Sequence, residues 1–289
     1  MIDLHTHTNY SDGTWNLKEL LQEADKANIE VLSITDHDTV SSIEKAVEYA
    51  KEREILLIPG IEMEAQVDSG QMHILGLFID YKSEELKQKL AMIEEGRNTR
   101  NAKFIKEFKK LGFEITEEEL KEVSNGKIIG KPHFAKIFLR KKYIKEKEEI
   151  FREYFNKSPF KEIPKASYSP KEVIEIIKRA NGIAILAHPQ TLKLSDNELK
   201  EKIMELKKYG LDGIECYHSK QSTQQMEKYR EIAVENDLII TKGSDYHGPI
   251  TKKHIELGTG MNDNIINCEE ENIIKVLFHK YDEIIYSKK

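Results

Sequence analysis

The chain opens MIDLHTHTNYSDG, placing His5 and His7 one residue apart and Asp12 five positions further on. In an extended strand, residues i and i+2 point the same way, so these two imidazoles can face one cation. Polar residues recur wherever a short apolar run ends. Asp36, His37 and Asp38 follow EVLSIT, Glu62 follows ILLIPG, His188 closes GIAILAH, and Asp245 and His247 follow LIITKG. Buried polar groups without partners are costly, and five strand ends carrying His, Asp or Glu are hard to explain by packing. Imidazole plus carboxylate ligation suits Mn, Fe or Zn. Cys216 and Cys268 form no CxxC pair, and a site without thiolates is a catalytic rather than a closed structural one.

Such a site needs a scaffold that gathers distant strand ends. The runs MIDLH, EVLSIT, ILLIPG, MHILGLFI, GIAILAH, DGIECY and LIITKGSD read as strands, and 16–28, 41–53, 169–181, 196–210 and 222–236 carry helical spacing. Strand–helix alternation predicts parallel strands with crossover helices. Around VDSGQ the pattern is instead that of a hairpin. In β/α barrels the C-terminal strand ends form the active face, which is where the polar residues fall.

From 82 to 165 the alternation stops, and the spacing predicts helices only, over 83–112, 116–124, 131–143 and 146–156, punctuated by Gly112, Gly126, Gly130 and Pro159. The expected organisation is a discontinuous barrel domain, 1–81 and 166–289, with an all-helical insert, 82–165. The insert holds 22 Lys and Arg against 15 Asp and Glu, while the rest holds 23 against 36. That is either a set of solvated helix faces or a basic module that attracts phosphate towards an acidic, metal-binding core. No run reaches the roughly 18 apolar residues of a membrane span. The first residues lack a basic segment followed by an apolar one, and two cysteines suit a reducing compartment, so the expected location is cytoplasmic. No protein partner is evident.

Taken together, HTHTNYSDGT, ITDHDT, IPGIEME, HILGLFID, AILAHP and GSDYHG resemble the PHP (polymerase and histidinol phosphatase) superfamily along the whole chain. GRNTRNA and GKPHFAKIFL resemble the branch containing nucleoside 3′,5′-bisphosphate phosphatases and 5′-to-3′ exoribonucleases. The resemblance implies an α/β fold, a distorted (β/α)7 barrel holding two to three divalent ions (Mn, Fe or Zn). Carried over by motif, His5, His7, Glu62 and Asp245 would hold the first ion. Glu62 would bridge to a second with His73 and His188, and Asp12, His37 and His247 would hold a third. Asp36 is expected to orient a histidine and Asp38 to cap the following helix.

The expected activity is hydrolysis of a phosphate monoester of a small nucleotide, such as a nucleoside 3′,5′-bisphosphate. Glu62, Asp245, His188 and His247 would be the catalytic residues, and a metal-bridging hydroxide the nucleophile. No residue is assigned as the general acid. Arg97 and Arg100 lie three apart on one helix face and carry the planar fork suited to phosphate. His133 begins a helix after Pro132, where free N–H groups favour anions. Lys131 stands where the family often has Arg, which would weaken a bidentate contact. Lys157 and Lys165 are weaker candidates. The alternative partner is short RNA, cut from its 5′ end by the same chemistry. An amidohydrolase would require a bridging carbamylated lysine, and Lys242 lies in the wrong segment for one. Histidinol phosphate fits the helical insert less well. His254 and His279 are read as surface residues; His218, after the strand end ECYHSK, is read as structural with the site within its reach, and Tyr10 and Trp15, flanking the first loop, as packing residues, with contact to a substrate base as the alternative.

Overall fold

The computed structural model describes residues 1–124, 128–249, 254–265 and 268–287; Gly126 lies outside them. Two compact units emerge, Met1–Lys87 with Tyr168–Lys289, and Gln88–Ser167. The cut falls a few residues later than position 82 because it lies within one continuous helix, Glu84–Lys110.

The first unit is built on seven strands in the order β1 to β7: β1 (Ile2–Thr6), β2 (Val31–Ile34), β3 (Leu56–Ala65), β4 (Met72–Leu77), β5 (Ile183–Leu186), β6 (Gly213–His218) and β7 (Ile239–Gly243). Backbone bonds from His7 N–H to Tyr246 O (2.8 Å) and from Asp245 N–H to His5 O (2.9 Å) draw β1 against the end of β7. The result is a nearly closed α/β barrel. All neighbours are parallel except β4, which runs antiparallel to both β3 and β5. Ten-residue β3 runs on past ILLIPG to Ala65, so Glu62 sits inside that strand rather than at its end. The longer strand is needed because β3 pairs with β2 along its first half and with β4 along its second.

Helices α1 (Leu17–Lys26) and α2 (Ile43–Lys51) link the first strands, and α7 (Pro170–Arg179), α8 (Asp196–Tyr209) and α9 (Thr223–Glu235) the later ones. Asn16 with Glu19 closes a reciprocal cap on α1, and Ser169 with Glu172 does so on α7, where Pro170 supplies a preset first turn. Two described elements lie outside the strands and helices expected from the sequence. These are the small hairpin β8 (Ile255–Glu256) with β9 (Gly260–Met261), and α10 (Glu270–Tyr286). Helix α10 buries Ile273 and Leu277 against Ile2, Val31, Leu77, Ile183 and Ile239. These residues mark the ends of the strands remote from the ligand-type side chains, so α10 plugs the barrel with apolar groups and leaves the other mouth polar.

The second unit contains most of α3 (Glu84–Lys110), then α4 (Glu117–Ser124), α5 (Lys131–Arg140) and α6 (Lys147–Ile150), which runs into a π-helical turn over Phe151–Phe155. Its core is aromatic. Phe104, Phe108, Phe134, Phe138, Phe155 and Phe160 are all fully buried, with Phe108 at 4.3 Å from Phe160 and 4.7 Å from Phe138, centroid to centroid. No described helix is long and apolar enough to cross a membrane.

Candidate metal centre

At the polar mouth, Glu62 is buried at the centre of a histidine cluster. Its Oε1 lies 2.8 Å from His73 Nδ1 and 2.8 Å from His188 Nε2. Its Oε2 lies 3.3, 3.2 and 3.1 Å from nitrogens of His5, His7 and His37, yet makes no hydrogen bond to any of them. Asp245 Oδ1 approaches His7 at 3.4 Å and His247 at 3.3 Å, and His247 Nε2 lies 3.1 Å from Asp12. Among the described residues, four overlapping groups could hold an ion: His7–Asp12–His37–His247, His5–His7–Asp245, His5–Glu62–His188 and His37–Glu62–His73. Their union is the nine residues named as ligands from the sequence. Their partition differs, because His7 also falls with the Asp12 group and His73 pairs with His37 rather than His188.

The donor set suits a cation for a second reason. His5 Nδ1 meets a carboxylate oxygen, Glu215 Oε1, at 2.8 Å. His247 Nδ1 meets Asp245 O at 2.9 Å. His188 Nδ1 meets Thr191 Oγ1 at 3.1 Å, and that hydroxyl donates to backbone carbonyls. In each case Nδ1 must carry the hydrogen, which turns the Nε2 lone pair towards the cluster. Ligating histidines are commonly oriented in this way. Two of the residues also sit in left-handed backbone, His188 at φ 28° and Asp245 at φ 54°. Such conformations in non-glycine residues collect at functional sites.

Within the ion-free cluster the buried carboxylates and imidazoles shift one another, and burial keeps His37 and His188 below their ordinary range. Burial opposes ionisation of Glu62, but His37, His5 and His73 hold its carboxyl well below the usual range. Burial likewise opposes protonation of His5 and His7. Glu215 and Glu62 nevertheless hold His5 well above its ordinary value, and Asp245 and Glu62 raise His7 to about 9.

Several expectations change. Asp36 orients no histidine; it accepts from Thr8 N–H and from the Thr8, Ser11 and Ser42 hydroxyls at 2.7–2.8 Å, fixing the loop that carries Asp12. Asp38 does not cap α2, whose first residue is preceded by Ser42; at φ 51° its carboxylate lies 3.4 Å from Glu64 N. His218 does reach the site. It is buried with Nε2 3.4 Å from Asp245 Oδ2. Glu215, fully buried against His5, went unremarked in the sequence; its signal is a lone carboxylate inside the apolar run DGIECY. Lys242 is buried and committed to Glu270, so it bridges nothing at the site. His279 is exposed beside Glu283, His254 is exposed, and Trp15 packs on Tyr246.

In the helical unit, Arg100 is buried with its guanidinium 5.5 Å from the Phe104 ring centre, and its Nε has no hydrogen-bond partner. Lys131 Nζ stands over Phe155 and Phe104 at 5.0 and 5.9 Å; burial, then the nearby Arg100, lowers its pKa. His133 is not simply at an open helix start. Its Nδ1 accepts from Gly130 N–H at 3.1 Å, and its own N–H bonds Gly130 O. Arg97 is half-buried one turn before Arg100. Lys157 is spent on a surface pair with Glu153. Burial pushes Lys165 down to about 8. Arg100, Lys103 and Lys165, with Thr99 and one carboxylate, Glu95, help line a cavity of about 420 Å³.

Residues 3–244 match the family model described as PHP domain. A 5′-3′ exoribonuclease of Haemophilus influenzae is 30% identical, covering 93% of this chain and 98% of its own. A 3′,5′-nucleoside bisphosphate phosphatase of Chromobacterium violaceum is 27% identical over 86% of this chain and 87% of its own. Among solved structures, one from Bifidobacterium adolescentis described as a metal-dependent phosphoesterase superposes with a TM-score of 0.80 at 28% identity, covering 96% and 95% of the two chains. An amidohydrolase structure from C. violaceum, with bound sulfate and no metal, gives 0.79 at 26% identity over 89% of each chain.

Proposed function

The chain belongs to the PHP domain family and is a metal-dependent phosphoesterase; on that premise we propose that it removes a phosphate from small nucleotides such as nucleoside 3′,5′-bisphosphates. The observation that carries the reading is Glu62 Oε2, buried among three histidine nitrogens without a hydrogen bond. An arrangement of lone pairs around one point is what a cation needs and what a protein core otherwise avoids. Two to three divalent ions, when bound, would supply a water ionised near neutral pH and neutralise charge on phosphoryl oxygens.

The ion-holding residues would be His5, His7, Asp12, His37, Glu62, His73, His188, Asp245 and His247. Glu62 and Asp245 supply the negative charge at the centre of the site. Among the histidines, His188 and His247 are pinned through Nδ1, which leaves them little freedom to turn when substrate arrives. Thr8, Ser11 and Ser42 clamp Asp36 and so hold the Asp12 loop. In the helical unit, Arg97, Arg100, Lys131 and His133 would recognise a substrate phosphate. Support comes from the buried guanidinium of Arg100 and from the cations around the cavity of about 420 Å³. The bisphosphate phosphatase relative supports a mononucleotide substrate.

A second reading, 5′-to-3′ cutting of short RNA, is favoured by the 30% identity to a protein named as such an exoribonuclease. Ion-loaded protein assayed on nucleoside mono- and bisphosphates and on 5′-phosphorylated oligonucleotides separates the two. Mononucleotide preference supports the first; stepwise shortening with steep salt dependence supports the second. Glu62→Gln should cost roughly 10²–10⁴-fold in rate, if the ~3–5 kcal/mol of breaking a buried charge arrangement is lost from the transition state. Full activity in that variant would refute the site as described.

A further inference from the structure

Strand β6 contributes none of the nine ligand candidates, yet it lies between β5 and β7, whose ends carry His188 and Asp245. Two of its side chains are buried at the site. Glu215 uses both oxygens: Oε1 takes the His5 Nδ1 hydrogen at 2.8 Å, and Oε2 takes the backbone N–H of His188 at 2.7 Å. The latter holds the peptide of a residue in left-handed backbone. His218 Nδ1 accepts from Lys220 N–H at 3.0 Å, so its hydrogen is on Nε2, which faces Asp245 Oδ2 at 3.4 Å. Gly243 makes room for the pair. A methyl group there would fall 2.2 Å from His5 Cβ and 2.8 Å from Glu215 Oε1.

We propose that Glu215 and His218 are positioning residues of the reaction, together fixing the ring of His5, the backbone of His188 and the carboxylate of Asp245 for ion binding. Neither faces the substrate. Glu215 sets which nitrogen of His5 offers a lone pair and where that lone pair points. His218 occupies Oδ2 of Asp245 so that Oδ1 is the oxygen presented to His5, His7 and His247. Strand β6 thereby governs ligands on three other strands without supplying one. The inference rests on the metal-centre reading above.

The test is titration of the chelated, full-length protein with Mn²⁺ alone, followed by kcat and KM on a nucleoside bisphosphate. Glu215→Gln keeps size but can accept only one of the two N–H groups, since its amide nitrogen must face the other. It should fold, bind at least one Mn²⁺ about 10–100-fold less tightly, and lower kcat with KM unchanged. His218→Leu should behave alike, and His218→Gln, which keeps a donor towards Asp245, should recover most of the loss. Wild-type Mn²⁺ affinity in both Glu215→Gln and His218→Leu would overturn the proposal. So would a rise in KM alone, or a Glu215→Gln chain unable to fold without ions, which would make Glu215 a residue of the fold. Should the wild type itself take up no Mn²⁺, the metal-centre reading fails instead.

Discussion

In the barrel unit, buried ionisable groups of both signs interlock, with Glu62 within 3.3 Å of nitrogens from five histidines. In the helical unit the interior is aromatic, and Arg100 and Lys131 lie against its rings, while Arg100, Lys103 and Lys165 share the lining of one cavity with a single carboxylate residue, Glu95. In the first arrangement anionic and imidazole groups meet around one point; in the second, cations outnumber carboxylates. On the proposed function these two modes of charge burial correspond to cation holding and phosphate recognition.

The comparison breaks first if the units do not have separate cores. Phe108 is fully buried amid five other phenylalanines, and Phe108→Ala should cost the helical unit ~3–5 kcal/mol. Mn²⁺ uptake by the barrel unit should survive. Joint loss of helical unfolding stability and ion binding, followed by circular dichroism and metal titration, would show that the two units stand or fall as one.

Chelation probes the other side. Ions at a hundred times their dissociation constant stabilise by about 2.7 kcal/mol, so a chelator should lower the barrel transition by roughly 5–10 °C. The Phe-rich unit should melt unchanged. Scanning calorimetry with and without chelator reads this directly, and an unmoved barrel transition would remove the case for bound ions.

The unequal legibility of the two sites has a physical cause. Candidate ligands at the ends of parallel strands, such as His7, His188 and Asp245, are visible because the chain must reverse there and polar residues interrupt an apolar run. His73 was not visible in that way. It lies near the start of β4, and because β4 is antiparallel its start, not its end, is at the polar mouth; only the family pattern pointed to it. Glu215 was hidden because a strand buried on both faces reads as continuous apolar sequence and a single carboxylate looks like an exception. The positions of helices in the insert followed from 3.6-residue spacing, but α10 escaped notice since its buried stripe, Ile273 and Leu277, is short and flanked by charge.

The ion-free cluster should also respond to pH in a way the helical unit does not. His7 is raised from its ordinary 6.5 to about 9, burial being outweighed by Asp245 and Glu62. A raised folded-state pKa contributes stability that is complete below 6.5 and lost as pH climbs through about 9. The chelated protein should therefore lose stability across that window, His7 contributing up to about 1.4 kcal/mol per pH unit and His5, raised likewise, adding to the slope. Ion affinity should rise over the same window, because the metal no longer competes with protons. Melting curves of chelated and Mn²⁺-loaded protein at several pH values test both; a chelated barrel that gains stability with rising pH would reverse the sign and contradict the raised histidines.

The smallest effect is the most discriminating for the helical unit. Arg100 is buried, burial alone lowers its pKa, and its Nε lacks a partner. The Phe104 ring at 5.5 Å returns part of the desolvation cost, about 0.5–2 kcal/mol for such contacts. A buried cation without an ion pair costs several kcal/mol, so the balance is unfavourable and Arg100→Met, of similar length, should stabilise the unit by about 1 kcal/mol. A stabilising loss of charge is the mark of a group retained for binding. The same variant should raise KM for a nucleoside bisphosphate about tenfold while leaving Mn²⁺ affinity at the barrel unchanged, the ~1.4 kcal/mol of one charge-assisted contact. If Arg100→Met instead lowered the melting temperature and left KM alone, Arg100 would be a packing residue of the aromatic core, and phosphate recognition would have to be sought elsewhere in the chain.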